Sequence, residues 1–339
     1  MSNDKDLRVL LGHGGGGKMS SRLVKNTILP RLNRGKLSLL PDSIVLDGLG
    51  DRIAYTTDSY TVSPIFFPGG NIGSLAIHGT CNDLACSGAR PTFVSVGLIL
   101  EEGLAITELD QILEEMSKAA DEAGVEVVTG DTKVVPKGSA DKIFINTSGI
   151  GRIDHELNLG PDAIEVGDEI IVSGPVGNHG MAIMLSRAEF SFDFDIQSDS
   201  ASIWPIVEQL LELGPHLKFL RDPTRGGLAA TLNEIAAGSS VEVQIDETSV
   251  PIDEQVKAAS EILGIDPLVA ANEGKLVAVV GKGMAQKALD LMSRRQISSN
   301  AKMIGTITSD LATRVIINTR IGGSRILAEP SGELLPRIC

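Results

Sequence analysis

The sequence predicts an α/β (α+β) protein of two domains, followed by a flexible C-terminal tail. Segments with strand and helix patterns alternate along most of its 339 residues, and this length exceeds what one hydrophobic core usually serves. Hydrophobic residues make up 42% of the chain and aromatic residues only 3%, so we expect an aliphatic core. The 37 glycines are typical of the tight turns that such an alternation needs.

The first domain is predicted to span residues 42–155, after a glycine-rich N-terminal segment at 1–41. Its clearest helix is "TELDQILEEMSKAADEAG", in which Ile112, Leu113 and Met116 recur at helical spacing before a terminal glycine. The strands are short apolar runs bounded by glycine, proline or aspartate. The predicted order is strands at 43–48 and 51–59, a helix at 69–88, a strand at 92–100, a helix at 107–124, and strands at 125–130 and 142–153.

The second domain is predicted to span residues 156–320 and to continue the alternation. Glycines open two of its helices, in "VGNHGMAIMLSRAEF" and "DPTRGGLAATLNEIAAGS". The glycine- and proline-punctuated stretch at 321–339 reads as a mobile tail. The predicted order is a strand at 168–175, helices at 176–190, 198–214 and 222–239, a strand at 241–246, a helix at 252–266, a strand at 275–281, a helix at 283–295 and two late strands.

Charge and cysteine content exclude several classes of function. The formal net charge is −14, which argues against binding to nucleic acid and against docking on an anionic membrane. Three cysteines cannot form a disulfide framework, and no N-terminal apolar run resembles a signal peptide. We therefore expect a cytoplasmic protein with reduced thiols.

The run "LLGHGGGGKMS" at 10–20 nearly satisfies a phosphate-binding P-loop. Its next position should supply a hydroxyl to Mg²⁺ but is Met19. Two interpretations of this run stay open. In the structural one it is only a flexible N-terminal segment. In the functional reading the run is a flap whose amides close over a nucleotide together with Lys18. The flap residues are Gly14, Gly15, Gly16 and Lys18.

Four aspartates lie near strand ends or glycines, in "VLDGLGD", "TTDS", "NDLA" and "GDTK". An aspartate in such a turn is usually a capping residue, but four of them are less easily explained that way. Mg²⁺ prefers oxygen ligands and is usually held by one or two carboxylates together with substrate phosphates. The four predicted metal and ATP ligands are Asp47, Asp58, Asp83 and Asp131.

These motifs carry a family resemblance. "VLDG", "AYTTDSYTVSPIFFPGGNIG", "NDLA", "GDTKVV" and "DPTRGGLAATLNE" resemble the aminoimidazole-ribonucleotide synthetase (PurM-like) superfamily over about residues 42–320. Within it, the terminal "PRIC" is similar to the HypE family of hydrogenase maturation factors. The resemblance implies binding of ATP and Mg²⁺, with Thr132, Asp222 and Arg225 also near the nucleotide. It implies Cys339, Lys133 and Glu273 as catalytic residues and a homodimer as the assembly.

The reaction implied by the resemblance dehydrates an S-carbamoyl group on the terminal cysteine to a thiocyanate. The carbamoyl group would come from a carbamoyltransferase, HypF. The cyanide would pass to the iron of a NiFe-hydrogenase on a HypC–HypD scaffold. This chemistry needs carboxylates for the metal, a cation near the developing charge and a base near nitrogen, which are the roles expected of the aspartates, Lys133 and Glu273.

Two other functions stay open on the sequence alone. A superfamily kinase or synthetase acting on a free small molecule would keep its turnover without the tail. A non-catalytic partner would use the tail as a docking peptide recognised through its carboxylate. The sequence assigns no role to Cys81, His13 or His179, although both histidines are candidates near phosphates.

Overall fold

The computed structural model describes residues 8–10, 13, 22–32, 50, 52–188, 194–309, 312–329, 335 and 337–339. Several sequence predictions lie outside these residues. They are the strand at 43–48, Asp47, and the glycine flap with Gly14, Gly15, Gly16 and Lys18.

The first domain is a four-stranded sheet covered on one face by helices. Its strand order is β1-β6-β4-β5, with β4 and β5 parallel and the other pairs antiparallel. The covering helices are amphipathic or buried, and the second of them ends at Gly124, which adopts the left-handed conformation that glycine allows (φ 69°). The elements are α1 (Leu29–Leu32), β1 (Ile53–Tyr60), β2 (Phe66–Phe67), β3 (Gly70–Asn71), α2 (Ile72–Cys86), β4 (Arg90–Glu101), α3 (Ile106–Ala123), β5 (Glu126–Val135) and β6 (Ile143–Arg152).

The second domain is built on a seven-stranded sheet of mixed direction. Its strand order is β13-β12-β9-β11-β7-β10-β8, in which only β9 and β12 pair in parallel. Short 3₁₀ turns at 161–163, 211–216, 267–269 and 296–298 connect several elements. The elements are β7 (Glu169–Val172), α4 (Asn178–Arg187), α5 (Trp204–Leu210), β8 (Leu217–Arg221), α6 (Gly227–Ser239), β9 (Glu242–Asp246), α7 (Glu254–Leu263), β10 (Val277–Val280), α8 (Ala285–Met292), β11 (Lys302–Ser309), β12 (Arg314–Asn318) and β13 (Ser324–Ile326).

One buried cluster joins the two domains and the end of the chain. Side chains from the first-domain sheet, α2 and α3 share it with Met181 and Ile183 of α4 and with Ile338. Aliphatic residues dominate this cluster, as the composition predicts. The tail thus packs where the two domains meet, and this junction also contains the candidate site.

Three predicted elements differ from the observed ones. Strand β5 continues past Gly130 to Val135, because pairing with β4 extends along the whole segment. The helix predicted from residue 198 begins only at Trp204, since Pro205 is favoured in the first turn of a helix and not in its interior. The segment predicted as a mobile tail contributes β13, which pairs with β12.

Within the part of the chain that the structure describes, no helix is long and apolar enough to cross a membrane.

Candidate active site between the two domains

A cavity of about 580 Å³ lies between the domains and is lined by acidic residues from both. The first domain contributes Asp58 from β1 and Asp83 from α2. The second contributes Asp222, which follows β8, and Glu273, which precedes β10. Four carboxylates that are distant in sequence therefore meet in one cavity.

Strand and helix geometry explain how the first two carboxylates meet. Side chains alternate along a strand, so Thr56, Asp58 and Tyr60 share the less exposed face of β1. The Thr56 hydroxyl donates to Oδ2 of Asp83 (2.9 Å), and the Tyr60 hydroxyl donates to Oδ2 of Asp58 (3.4 Å). Helix α2 is anchored at its start by Asn71, whose side chain accepts from two backbone amides in a capping box.

Burial raises the pKa values of Asp58, Asp83 and Asp222, and repulsion by neighbouring carboxylates adds to the shift of Asp58 and Asp222. Burial raises the pKa of Asp222 to about 7, with the charges of Asp83 and Asp58 acting in the same direction. Burial and the charge of Asp83 likewise raise the pKa of Asp58, while Arg225 opposes this shift. Carboxyl groups that repel one another and have perturbed pKa values are typical of functional sites.

Glu273 lies at the buried end of the cavity. Its side chain is 3% exposed, and its Oε1 is buried without a hydrogen-bond partner. Burial, followed by the charges of Asp222 and Asp199, raises its pKa well above the ordinary value. A buried carboxyl with one uncommitted oxygen is a suitable group to exchange a proton with a substrate.

The backbone of Glu273 is held on both sides. Its amide donates to Oδ1 of Asp199 (3.1 Å), and its carbonyl accepts from Nδ2 of Asn82 (3.0 Å). Asp199 also pairs with Lys275 in a buried ion pair (3.2 Å). The carboxyl group of Glu273 therefore projects from a segment with a fixed backbone.

The donor set fits a divalent cation together with phosphate. Mutual repulsion among Asp58, Asp83 and Asp222 would be relieved by positive charge. Among the described residues, no three histidine, cysteine, aspartate or glutamate side chains form a preassembled metal cluster. An ion would therefore take one or two of these carboxylates and complete its shell with phosphate oxygens, as is usual for Mg²⁺. The guanidinium of Arg225, which lines the same cavity, suits the phosphates.

The end of the chain is docked at this cavity. Cys339 lines it, and its main-chain carboxylate oxygen accepts from the amide of Thr61 (3.1 Å). The two preceding carbonyls are also bound. That of Ile338 lies 2.8 Å from Nε2 of His179, and that of Arg337 accepts from Nη2 of Arg187 (2.6 Å).

A second cavity of about 490 Å³ meets the first at the tail. Ser59, Arg225 and Cys339 line both. The last residue of the sequence therefore lies where the two cavities join, within the reach of groups in either.

A single copy of the chain does not bring every predicted site residue to the cavity. Asp131, Thr132 and Lys133 lie inside β5, where the Lys133 ammonium pairs with Asp131 (3.2 Å) and both side chains are about two-thirds exposed. Strands β1 and β5 are opposite edges of the sheet, with β6 and β4 between them. Three strand spacings separate them by about 14 Å.

The histidine and cysteine candidates His13 and Cys81 lie in surroundings that give them structural contacts or burial. Nδ1 of His13 accepts from the amide of Leu10 (2.9 Å). Cys81 is fully buried in the core, and burial raises the pKa of its thiol to about 12. Sγ of Cys86 lies 3.8 Å from Oδ1 of Asp222. None of the three cysteines is in a disulfide.

Sequence reasoning missed the residues that hold the site together. Thr61, Arg187, Ser198 and Asp199 hold the tail or the Glu273 segment. Asn82 stands beside the recognised Asp83 in "NDLA" and was overlooked because its role is structural. The hydrogen-bond partners of Asn82 and Thr61 lie 119 to 278 positions away along the chain, so no local sequence pattern marks these two residues.

The two-domain fold with an acidic cavity at the junction defines the class of protein. Residues 41–153 match the family described as AIR synthase related protein, N-terminal domain. Residues 165–318 match its C-terminal domain. These matches confirm the predicted PurM-like fold class.

Similar proteins narrow the class further. The chain is 46% identical over 333 residues to the carbamoyl dehydratase HypE of Rhizobium leguminosarum bv. viciae, covering 98% of this chain and 95% of that protein. It resembles the crystal structure of a hydrogenase maturation protein HypE in complex with ATP (TM-score 0.93, 46% identity, 97% and 99% of the two chains). It also resembles HypE in a HypE–HypF complex (TM-score 0.79, 44% identity, 91% and 99%). The chain belongs to the carbamoyl dehydratase HypE family, as the resemblance of its motifs predicted.

Proposed function

We propose that the protein uses ATP to dehydrate an S-carbamoyl group carried on its own Cys339, giving a thiocyanate. The observation that carries the proposal is the docking of Cys339 at a cavity that also contains Asp58, Asp83, Asp222 and Glu273. A substrate attached to that thiol would stand among the carboxylates that an ATP-using site needs. A relative of this chain is known in complex with ATP, which supports the same nucleotide here.

The proposed reaction balances in two steps. The carbamoyl oxygen attacks the γ-phosphorus of ATP, so an O–P bond forms, the bond between the γ-phosphorus and the bridging oxygen breaks, and ADP leaves. The carbon–oxygen bond then breaks and phosphate leaves, while the two N–H protons are lost and the carbon–nitrogen triple bond forms. An amide oxygen is a poor leaving group, and the first step converts it into phosphate, which is a good one.

The residues of the cavity suit separate parts of this chemistry. Glu273 in its ionised form would accept a proton from nitrogen, since its Oε1 is uncommitted and its raised pKa makes the carboxylate a stronger base than an ordinary one. Arg225 would orient the phosphates from the opening of α6. One or two of the carboxylates of Asp58, Asp83 and Asp222 would hold Mg²⁺, which would supply positive charge to the transferring phosphoryl group.

A homodimer would complete the site with Lys133. The outer face of the first-domain sheet exposes Ile53, Tyr55 and Ile99, which are 40 to 67% exposed. Burying such a face against a second copy is favourable. A single copy keeps Asp131 and Lys133 at the edge of the sheet opposite to β1 and its Asp58. We expect the pairing of two copies to bring Asp131 and Lys133 of one copy towards the cavity of the other.

Other proteins would act before and after this step. A structure of a relative in a HypE–HypF complex supports HypF as the carbamoyl donor. The HypC–HypD scaffold would receive the cyanide for hydrogenase iron. A cytoplasmic location suits a reaction that requires both ATP and a reduced thiol.

Mass spectrometry of the C-terminal peptide tests the proposal. With the partner carbamoyltransferase and its carbamoyl donor, Cys339 should gain one carbamoyl group. Addition of Mg-ATP should then remove one water from it. Replacement of Cys339 by alanine is the control and should abolish both changes. A peptide that never changes mass at Cys339 would rule the function out, and turnover of a free substrate without the tail would favour a small-molecule kinase.

A further inference from the structure

We propose that His179 is a positioning residue that holds the tail in its reacting register. We also propose that Ser198 sets the tautomer of His179 and links it to the segment that carries Glu273. This inference rests on the proposed function, since it assigns a residue to the docking of Cys339 for that reaction. It comes from a chain of hydrogen bonds that joins the tail to the catalytic segment.

The ring of His179 is fixed on every side. It is fully buried in α4 and packs edge-on against Phe67, with ring centroids 5.5 Å apart at 89°. Its Nε2 lies 2.8 Å from the carbonyl oxygen of Ile338. A carbonyl oxygen only accepts hydrogen bonds, so Nε2 must carry the proton.

Ser198 determines that tautomer. Its hydroxyl accepts from the amide of Ser200 (3.1 Å) and lies 2.8 Å from Nδ1 of His179. The hydroxyl proton is therefore available to Nδ1, which accepts it as the unprotonated nitrogen of a neutral ring. Burial lowers the pKa of His179, which agrees with the neutral form. The resulting chain of bonds has one direction, from Ser200 through Ser198 and His179 to Ile338.

The same segment holds the candidate base. Asp199 accepts from the amide of Glu273 (3.1 Å), and the amide of Ala201 donates to the Glu273 carbonyl (3.4 Å). The segment itself is fixed to the first domain, where the amide of Ser198 donates to the carbonyl of Pro68 (2.8 Å). A docked tail and a correctly placed Glu273 thus depend on one stretch of backbone, residues 198–201.

The tail is recognised through its backbone. Arg187, His179 and Thr61 bind main-chain oxygens of three consecutive residues, 337, 338 and 339. A slip of one residue would move the thiol by about 3.4 Å along an extended chain, which is enough to remove it from a reacting position. The contact made by His179 lies between the other two, so it fixes both the register and the depth of insertion.

Two substitutions at His179 and one control test the role. His179→Leu removes the donor, whereas His179→Gln keeps an N–H for the Ile338 carbonyl. Ser186→Ala is the control, because Ser186 lies on the same helix and its hydroxyl donates to the carbonyl of Ala182 (2.7 Å). Ser198→Ala keeps the His179 ring but removes the hydroxyl that fixes its tautomer. Thermal unfolding reports whether each variant is folded.

The first measurement is removal of Cys339 by a carboxypeptidase, followed by intact mass, which reports how often the tail leaves its site. Loss of one buried hydrogen bond should speed removal roughly five- to tenfold in His179→Leu. Ser198→Ala should show a smaller acceleration, and His179→Gln should return towards the parent rate. The second measurement is single-turnover loss of water from carbamoylated Cys339, which should slow because the thiol is held less often in the reacting register, while carbamoyl transfer onto the thiol should not slow.

Removal of Cys339 from His179→Leu at the parent rate would overturn the inference. So would an equal slowing of carbamoyl transfer and dehydration, since that pattern indicates a general structural defect. If the parent protein never loses water, the proposed function fails, and the carboxypeptidase measurement still decides whether His179 holds the tail.

Discussion

Replacing Asp222 by asparagine should stabilise the protein and weaken its binding of Mg-ATP. Asp222 is 7% exposed, and burial together with the charge of Asp83 raises its pKa from 3.8 to about 7. Asparagine has nearly the same shape without the charge, so the variant removes the cost of burying this carboxylate among others. Stability and function are expected to change in opposite directions.

The stability difference between Asp222→Asn and its parent depends on pH. A folded pKa above the unfolded one means that the parent protein loses stability as pH rises from about 4 to about 7. The shift of about three pKa units, at about 1.4 kcal/mol per unit, corresponds to about 4 kcal/mol above pH 7. The gain from Asp222→Asn should therefore be absent near pH 4, grow between pH 4 and 7, and be largest at pH 8.

Urea unfolding of the parent and variant at several pH values measures this difference. Asp290→Asn is the matched control, because Asp290 is exposed on α8 and does not line the cavity, and it should change stability by less than about 0.5 kcal/mol. Calorimetric titration with Mg-ATP then reports binding. The reasoning is wrong if Asp222→Asn is less stable than its parent at pH 8, or if the difference between them is the same at every pH.

Two further predictions concern the catalytic groups. Glu273→Gln should accept the carbamoyl group at the parent rate but lose water from it about 10²- to 10⁴-fold more slowly, as expected for loss of a general base. An unchanged single-turnover rate of water loss would show that Glu273 is not the base. Mixed dimers of Lys133→Ala and Glu273→Gln, formed by unfolding and refolding the two variants together, should recover about a quarter of the parent turnover, because half of the dimers are mixed and each carries one intact site. A mixture as inactive as the separate variants would mean that Lys133 acts within its own copy, and parent turnover in Lys133→Ala alone would mean that Lys133 has no role.

The sequence predicted the class of fold and most of its elements because these depend on local patterns. The helix at 107–124 was predicted from its spacing and final glycine, and the structure has α3 at Ile106–Ala123. The motifs "TTDS", "NDLA" and "DPTRGG" indicated carboxylates that the structure brings to one cavity. Each of these signals is contained in a few neighbouring residues.

Other features depend on contacts between distant segments and could not be predicted locally. Asp131 was expected at a strand end, but pairing with β4 extends β5 and keeps Asp131 at the far edge of the sheet. Residues 198–203 were included in the helix predicted at 198–214, yet they form a non-helical segment that contacts Glu273, His179 and Pro68. The contact of His179 with the Ile338 carbonyl joins positions 159 residues apart in the chain.

The central claim is that the carbamoyl oxygen on Cys339 is transferred to phosphate by ATP. Its most direct test is to load the thiol with a carbamoyl group labelled with heavy oxygen, add Mg-ATP for a single turnover, and analyse the phosphate by mass spectrometry. The account predicts one labelled oxygen in each phosphate released and a thiocyanate on Cys339. Unlabelled phosphate, with the heavy oxygen in water or still on the cysteine, would contradict it.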